Sequence, residues 1–273
     1  RQKGGISGFP CPQESSCDQF SVGHAGTAVA TAVGLALGAR LKHSDEKIVS
    51  IIGDASIVNG LSFEGLNNTN LVNRQLLFIL NDNEMAIART QGAFAEYLTK
   101  MRVSRSHDFL NRRAKMLVKR LPQLQKRLER LSDSFKTVFS DTHWFDQLNV
   151  PVYGPIDGHN LPVMIDILSS LRNFDRPVIL HVHTDKGRGF SPATADPTTF
   201  HSPSPFVIEG ESASFDPSNG KSFTSSFAQS LIAEMEKDDT IYALTAAMPD
   251  GTGLIEVIEK FPDRVFDVGI AES

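Results

Sequence analysis

The chain has 273 residues, long enough for one large or two modest hydrophobic cores, and its 40% hydrophobic and 22% charged residues are ordinary for a globular protein. A net charge of −5 gives no global attraction to nucleic acid or to an anionic membrane, and no partner of either kind is expected. No apolar run approaches the roughly 18 residues that a membrane helix needs, and no secretory leader is expected.

Residues 1–22 are rich in Gly, Pro and Ser and read as a loop. They carry the two cysteines, Cys11 and Cys17, whose spacing fits neither a zinc site nor a disulfide framework; free thiols of a cytoplasmic protein are expected. An Ala-rich helix is expected from Thr27 to Leu41, small enough on most faces to approach another backbone closely. Ile48–Gly53 reads as a buried strand, too apolar to keep one face in water, and a helix around Leu61–Asn70 leads to a second buried strand at Leu76–Leu80.

Residues 100–138 change character. Between Met101 and Arg130 stand ten Lys/Arg and two acids, Asp108 and Glu129, with leucines at helical spacing. A solvated basic helical excursion is expected there, with contact to nucleic acid, anionic lipid or an acidic partner as the alternative. A strand and turn over "VPVYGPIDGHN", a helix over 161–173 and a strand in "PVILHVHTDKGRGF" then resume the α/β rhythm. Residues 191–221 have no clear period and read as a linker. Beyond it come a helix to about Lys237, a strand in "TIYALTA", a helix in "GLIEVIEKF" and a strand running through "RVFDVGIAE". The fold class expected is α/β, with parallel sheets covered by helices. It divides into a domain over 1–190, the linker, and the start of a similar domain over 222–273. Beginning at Arg1 and ending in "DVGIAES", the chain is expected to be an internal fragment.

Ligands of parallel sheets sit at the carboxyl ends of the strands, where this pattern puts Asp54 and Asn81–Asn83. A carboxylate at 54 and an amide oxygen at 83 are hard donors of the kind Mg²⁺ takes, with diphosphate oxygens and water filling the rest. The helix after Asp54 would then aim its N-terminus at the phosphates. The alternative is plainer: Asp54 caps that helix and Asn83 opens a turn. Other candidates stay equally open. His24 is either near a ligand or an ordinary loop histidine, and His181 and His183 share a strand face as a metal pair or as hydrogen-bonded packing residues. "DKGRGF" is a phosphate loop around Arg188 or a tight turn, His201 lies in the linker, and Glu272 ends an apolar strand, where it either titrates high or finds a hydrogen-bond partner.

Taken together and in order, "QKGGISGFP", "SVGHAGTAVATAVGLAL", "IIGDASIVNGLSFEGLNN", "LLFILNDNEMAIA", "YGPIDGHN", "HTDKGRGFSPATADPTTFH" and "FPDRVFDVGIAES" resemble the 1-deoxy-D-xylulose-5-phosphate synthase family, thiamine-diphosphate enzymes related to transketolase. The resemblance implies a thiamine-diphosphate-binding fold and decarboxylation of pyruvate, with transfer of the two-carbon unit to glyceraldehyde 3-phosphate. It also implies a place in isoprenoid and thiamine biosynthesis and a bacterial cytoplasmic homodimer. It implies roles as well. Asp54, Asn83 and the carbonyl of Met85 would hold Mg²⁺; Gly23, His24, Ala25, Ala55, Ser56 and Phe190 would border the cofactor. His24 and His201 would face the reacting centre, and Glu272 would hydrogen-bond N1′ of the aminopyrimidine.

The departures are specific. Ala55 stands where the family has glycine, costing on the order of 1 kcal/mol if positive φ is required and little if only closeness matters. Phe190 stands for Tyr, Ser273 for Gln, and Ala25-Gly26 for Ser-Ser. The family's upstream histidine would precede Arg1 and its aldehyde-phosphate residues would follow Ser273, so the fragment alone is not expected to turn over. The alternatives are another transketolase-type ketol transferase, or a non-catalytic binding protein on the same fold.

Overall fold

The computed structural model describes residues 4–83, 93, 96–98, 144–215 and 222–272. Met85, Ser273 and the basic stretch 100–138 lie outside them. The described residues fall into two compact units, one over 26–83, 96–98 and 144–184, the other over 4–25, 93, 185–215 and 222–272.

The first of these units holds α1 (Ala28–Leu41), β1 (Ile48–Gly53), α2 (Gly60–Asn67) and β2 (Leu76–Asp82), followed by α3 (Trp144–Gln147), β3 (Val152–Asp157), α4 (Leu161–Leu171) and β4 (Pro177–His183). Its four strands form one parallel sheet in the order β1-β2-β4-β3. Alternating side chains of the two central strands feed two cores. Phe78, Leu80 and Ile179 pack with Val29, Ala36 and Leu66 of α1 and α2 on one face. Leu77, Leu180 and Val182 pack with Leu171 and Leu168 of α4 on the other. A β-branched and leucine-rich strand buried on both faces is the pattern of a parallel sheet under helices.

The small residues of α1 have the expected use. A Cβ on Gly65 of α2 would lie 2.7 Å from the backbone nitrogen of Ala30, so the two helices meet nearly backbone to backbone. The expectation for β1 needs correcting. Ser50 and Ile52 are buried, but Val49 and Ile51 are 51% and 70% exposed. β1 is the edge strand, and α4 packs over the β2 and β4 side chains of that face, so among the described residues no element covers Val49 and Ile51.

The second unit contains α5 (Ser191–Ala195), the antiparallel hairpin β5 (Phe206–Glu209) and β6 (Ser212–Phe215), α6 (Phe223–Met235), β7 (Ala243–Thr245), α7 (Leu254–Lys260) and β8 (Val265–Asp267). The stretch expected to be an aperiodic linker therefore has a helix and a hairpin of its own. Phe190, Phe200, Phe206 and Phe215 hold it together as one aromatic cluster, with ring centroids 5.3–6.2 Å apart. α6 opens with a capping box between Ser222 and Ser225 and packs Ala228 and Met235 against Leu254, Val257 and Val265. β7 and β8 pair in parallel. β8 ends at Asp267, five residues short of Glu272, which corrects the expected strand. Gly269 adopts φ +74, and its N–H donates to Asp267 Oδ1 rather than to a neighbouring strand.

Among the described residues, no helix is long and apolar enough to cross a membrane.

Candidate functional site

β1 and β2 run in register, with Gly53 beside Asn81, so the parallel pairing delivers Asp54 and Asn81–Asn83 to the same end of the sheet. The backbone N–H of Asp54 donates to the Asn81 carbonyl at 3.1 Å and ties the two strand ends together. Asp54 itself is 4% exposed, and its Oδ1 accepts the N–H of Ala55 at 2.9 Å. The chain then turns tightly, Ser56 and Ile57 both donating to the Gly53 carbonyl, before α2 begins at Gly60.

This geometry removes one of the plainer readings. Asp54 does not cap α2; Asn59 does, its side-chain oxygen accepting from Ser62 N at 2.8 Å. The same cap corrects the idea that α2 aims a bare N-terminus at a phosphate group. The helix starts six positions after Asp54, and its first turn is already engaged by Asn59. The doubt over Ala55 also resolves. Ala55 is buried, and it is not among the residues with positive φ, so its methyl group carries no left-handed strain.

Asn81 is fixed from the neighbouring strand, where the Thr184 hydroxyl donates to its Oδ1 at 2.7 Å. Asn83 lies two positions on and is half-buried. Among the described residues no cluster of three His, Cys, Asp or Glu side chains could hold a metal ion. The residues brought to this sheet end are instead a buried carboxylate and two amides, types that belong to the hard, low-charge set suited to Mg²⁺ sharing a diphosphate. They fit the expected group.

On the same sheet, His181 settles as a packing residue. Its Nε2–H donates to Asp82 Oδ2 at 2.8 Å, with both side chains at or below 1% exposure. His183 lies one step along the same strand face and is half-buried.

The other unit gathers most of the remaining predicted residues. Gly23 and His24 are exposed, and the N–H of Ala25 donates to Glu272 Oε1 at 3.3 Å across 247 residues of sequence. Glu272 thus has the hydrogen-bond partner foreseen as one of its two options, although it is exposed rather than pocketed. Its approach is set by Asp267, whose Oδ1 accepts the N–H groups of Ala247 at 2.8 Å and Gly269 at 2.9 Å. Ala247 pays for that clamp with a φ of +61, a conformation costly for a residue with a Cβ.

His201 meets Lys186, whose Nζ donates to Nδ1 at 2.9 Å. The proton of the neutral ring then sits on Nε2, which is left as a directed donor. Loss of water around the ring, and next the Lys186 charge, hold His201 below its ordinary value of 6.5. Phe190 stacks on Phe206 and meets Phe200 edge-on. In "DKGRGF", Gly187 and Gly189 both have positive φ, and Arg188 pairs with Asp185 at 2.9 Å. This is turn geometry, with the guanidinium engaged locally.

Lys186, Thr184, Asn59 and Asp267 escaped the sequence reading. Lys186 and Thr184 belong to "HTDKGRGF", where the arginine between two glycines is the residue that the pattern makes conspicuous. Asn59 and Asp267 act through backbone contacts that no spacing announces.

Comparison with known proteins agrees in one direction. A family model described as 1-deoxy-D-xylulose-5-phosphate synthase matches residues 1–184. The 1-deoxy-D-xylulose-5-phosphate synthase of Acidobacterium capsulatum is 42% identical over 280 residues, covering 100% of this chain and 44% of that protein. The synthase of Natranaerobius thermophilus is 38% identical over 277 residues, with the same coverage of 100% and 44%. The chain thus spans under half the length of these relatives. The solved structure of transketolase from Campylobacter jejuni is similar with a TM-score of 0.43 at 16% identity, over 66% of this chain and 23% of that one, a distant likeness that decides nothing here.

Proposed function

The chain belongs to the 1-deoxy-D-xylulose-5-phosphate synthase family, and from that premise we propose that its protein carries out the family's reaction. It would decarboxylate pyruvate and transfer the two-carbon unit to glyceraldehyde 3-phosphate, as a transferase of isoprenoid biosynthesis using thiamine diphosphate and Mg²⁺. Thiamine biosynthesis is a different pathway and forms no part of the proposal. The protein would act as a bacterial cytoplasmic homodimer. Residues 1–190 would form its diphosphate-binding domain and 222–273 the start of its pyrimidine-binding domain.

The observation that carries this reading is the register of β1 on β2, which brings a buried Asp54 to the strand end bearing Asn81 and Asn83. Asp54 and Asn83, with the Met85 carbonyl, would hold Mg²⁺. Gly23, His24, Ala25, Ala55, Ser56 and Phe190 would line the cofactor. When bound, thiamine diphosphate supplies the electron sink that decarboxylation needs. The chain's own part is placement and proton control. Glu272, presented by its contact with the Ala25 N–H, would hold a proton at N1′ of the aminopyrimidine. His201, with Nδ1 engaged by Lys186, would offer its Nε2–H to a carboxylate or carbonyl oxygen of the substrate. His24 would contact substrate from the opposite segment of sequence, and the three together would orient the donor and keep water away.

The test uses purified full-length protein. Thiamine diphosphate is titrated calorimetrically with and without Mg²⁺, and CO₂ release from pyruvate is measured with and without glyceraldehyde 3-phosphate. Metal-dependent binding that Asp54→Ala abolishes is expected. Binding that ignores the metal, or survives Asp54→Ala unchanged, would remove the proposal. Turnover of a ketose phosphate donor instead of pyruvate would move the protein to another transketolase-type activity.

A further inference from the structure

The sheet end that carries Asp54 and Asn83 is braced from beneath by a pair that the proposed reaction does not use. Asp82 is the last residue of β2, between Asn81 and Asn83, and is fully buried. Its side chain points to the face opposite Asn81, where Oδ2 accepts from Nε2 of His181 on β4 at 2.8 Å. Its carbonyl accepts the N–H of Thr184 at 2.9 Å. Asp82 is therefore held at both side chain and backbone by one neighbouring strand. Nδ1 of His181 is buried with no hydrogen-bond partner among the described residues, so Asp82 is the ring's polar anchor. A Cβ on Gly154 of β3 would lie 2.2 Å from the His181 carbonyl, which leaves that stretch of β4 little room to shift.

A buried carboxylate hydrogen-bonded to a ring nitrogen is a poor way to gain stability. Taking the carboxylate and its polar partner out of water costs about as much as their contact returns, and apolar replacements of similar volume are often at least as stable. What the pair does supply is a fixed position. The Asn81 side chain alternates to the other face, where the Thr184 hydroxyl holds it, and the Asn81 carbonyl accepts the backbone N–H of Asp54. Beyond Asp82 the strand stops, so Asn83 leaves from a buried residue held at both side chain and backbone.

We infer that Asp82 and His181 are positioning residues that pin the end of β2 so that Asn83 presents its oxygen to the metal beside Asp54. The inference rests on the reading of Asp54 and Asn83 as metal ligands. Residues that orient metal ligands without touching the metal typically change its affinity about 10- to 100-fold when altered.

The probe is Mn²⁺, with free metal counted by electron paramagnetic resonance, in full-length protein with thiamine diphosphate present. Asp54→Ala is the control. Three further proteins are compared: His181→Leu, His181→Gln, whose amide N–H can still reach Asp82, and the double Asp82→Leu/His181→Leu, which removes the charge along with its partner. Folding of each is followed by circular dichroism and thermal melting. The expected result is Mn²⁺ affinity at least tenfold weaker in the double-leucine protein at an undiminished melting temperature, with His181→Gln within about threefold of the unaltered protein.

Wild-type affinity in a folded double-leucine protein would overturn the inference while leaving the metal reading intact, provided Asp54→Ala still loses metal. Failure of the double-leucine protein to fold would assign the pair to stability and overturn it as well. So would a His181→Gln protein as weak as the leucine variants. No Mn²⁺ binding by the unaltered protein, or binding untouched by Asp54→Ala, would remove the metal reading and this inference together.

Discussion

Gly26→Ala is expected to be far more damaging than its chemistry suggests. Gly26 has φ +78, and a Cβ built there would lie 1.5 Å from Asn59 Nδ2. Asn59 is 2% exposed and caps α2, so it cannot simply swing into water. Three costs combine. Left-handed φ at alanine costs about 1 kcal/mol, and displacing the Asn59 cap costs about 1 kcal/mol more. Forcing the buried neighbours apart adds roughly 1–3 kcal/mol, for a total of roughly 3–5 kcal/mol. Urea unfolding followed by circular dichroism measures it. The discriminating step is the same substitution in an Asn59→Ala background, where the obstacle is gone and only the backbone cost of about 1 kcal/mol should remain. The two substitutions should then couple by roughly 2 kcal/mol or more. A loss below about 1 kcal/mol in the single variant, or strict additivity in the double, would refute the reasoning. The same geometry accounts for a departure from the family pattern, since a serine at 26 would meet Asn59 just as alanine does.

Two further outcomes concern the other unit. His201 should titrate below 6.5 by NMR, and Lys186→Met should raise the midpoint without bringing it to 6.5, because the larger cause, lost hydration of the ring, remains. A midpoint at or above 6.5 in the unaltered protein would contradict the geometry. The sign for stability follows: the folded ring binds fewer protons than the unfolded one between its lowered midpoint and 6.5, so its contribution is whole above 6.5 and is lost as pH falls through that window. Asp267→Ala should leave the N–H groups of Ala247 and Gly269 without an acceptor. At roughly 1–3 kcal/mol per buried donor, amide exchange at those two positions should quicken on the order of tenfold or more. Unchanged protection there would show that Asp267 does not clamp the ends of β7 and β8.

Much of the parallel sheet was legible in the chain's own letters. Four apolar runs separated by helical stretches predict parallel strands, and parallel strands present their carboxyl ends together. That is why sequence alone pairs Asp54 with Asn83, although 29 positions separate residue 54 from residue 83. The family resemblance reached further than periodicity, because it named roles for Glu272 and His201 that no spacing supports.

Tertiary structure decided what depends on neighbours distant in sequence. Whether Val49 and Ile51 are buried depends on where β1 stands in the sheet, and an edge strand reads like a central one. The hairpin of 206–215 hid in a stretch of Pro, Ser and Thr because its order comes from four phenylalanines meeting in space, not from a period. Whether Ala55 is strained was a question of one dihedral angle, and whether Asp54 or Asn59 caps α2 was a question of where that helix begins. His181 and Asp82 lie 99 residues apart, and only the pairing of β2 with β4 turns them into a bonded pair under the sheet end that carries Asp54 and Asn83. Residue types and strand pattern alone say which residues could supply hard oxygen donors and at which strand ends. The packing of those strands determined which donors are buried, which are braced, and which face water, because burial and bracing are properties of contacts between segments that local sequence does not encode.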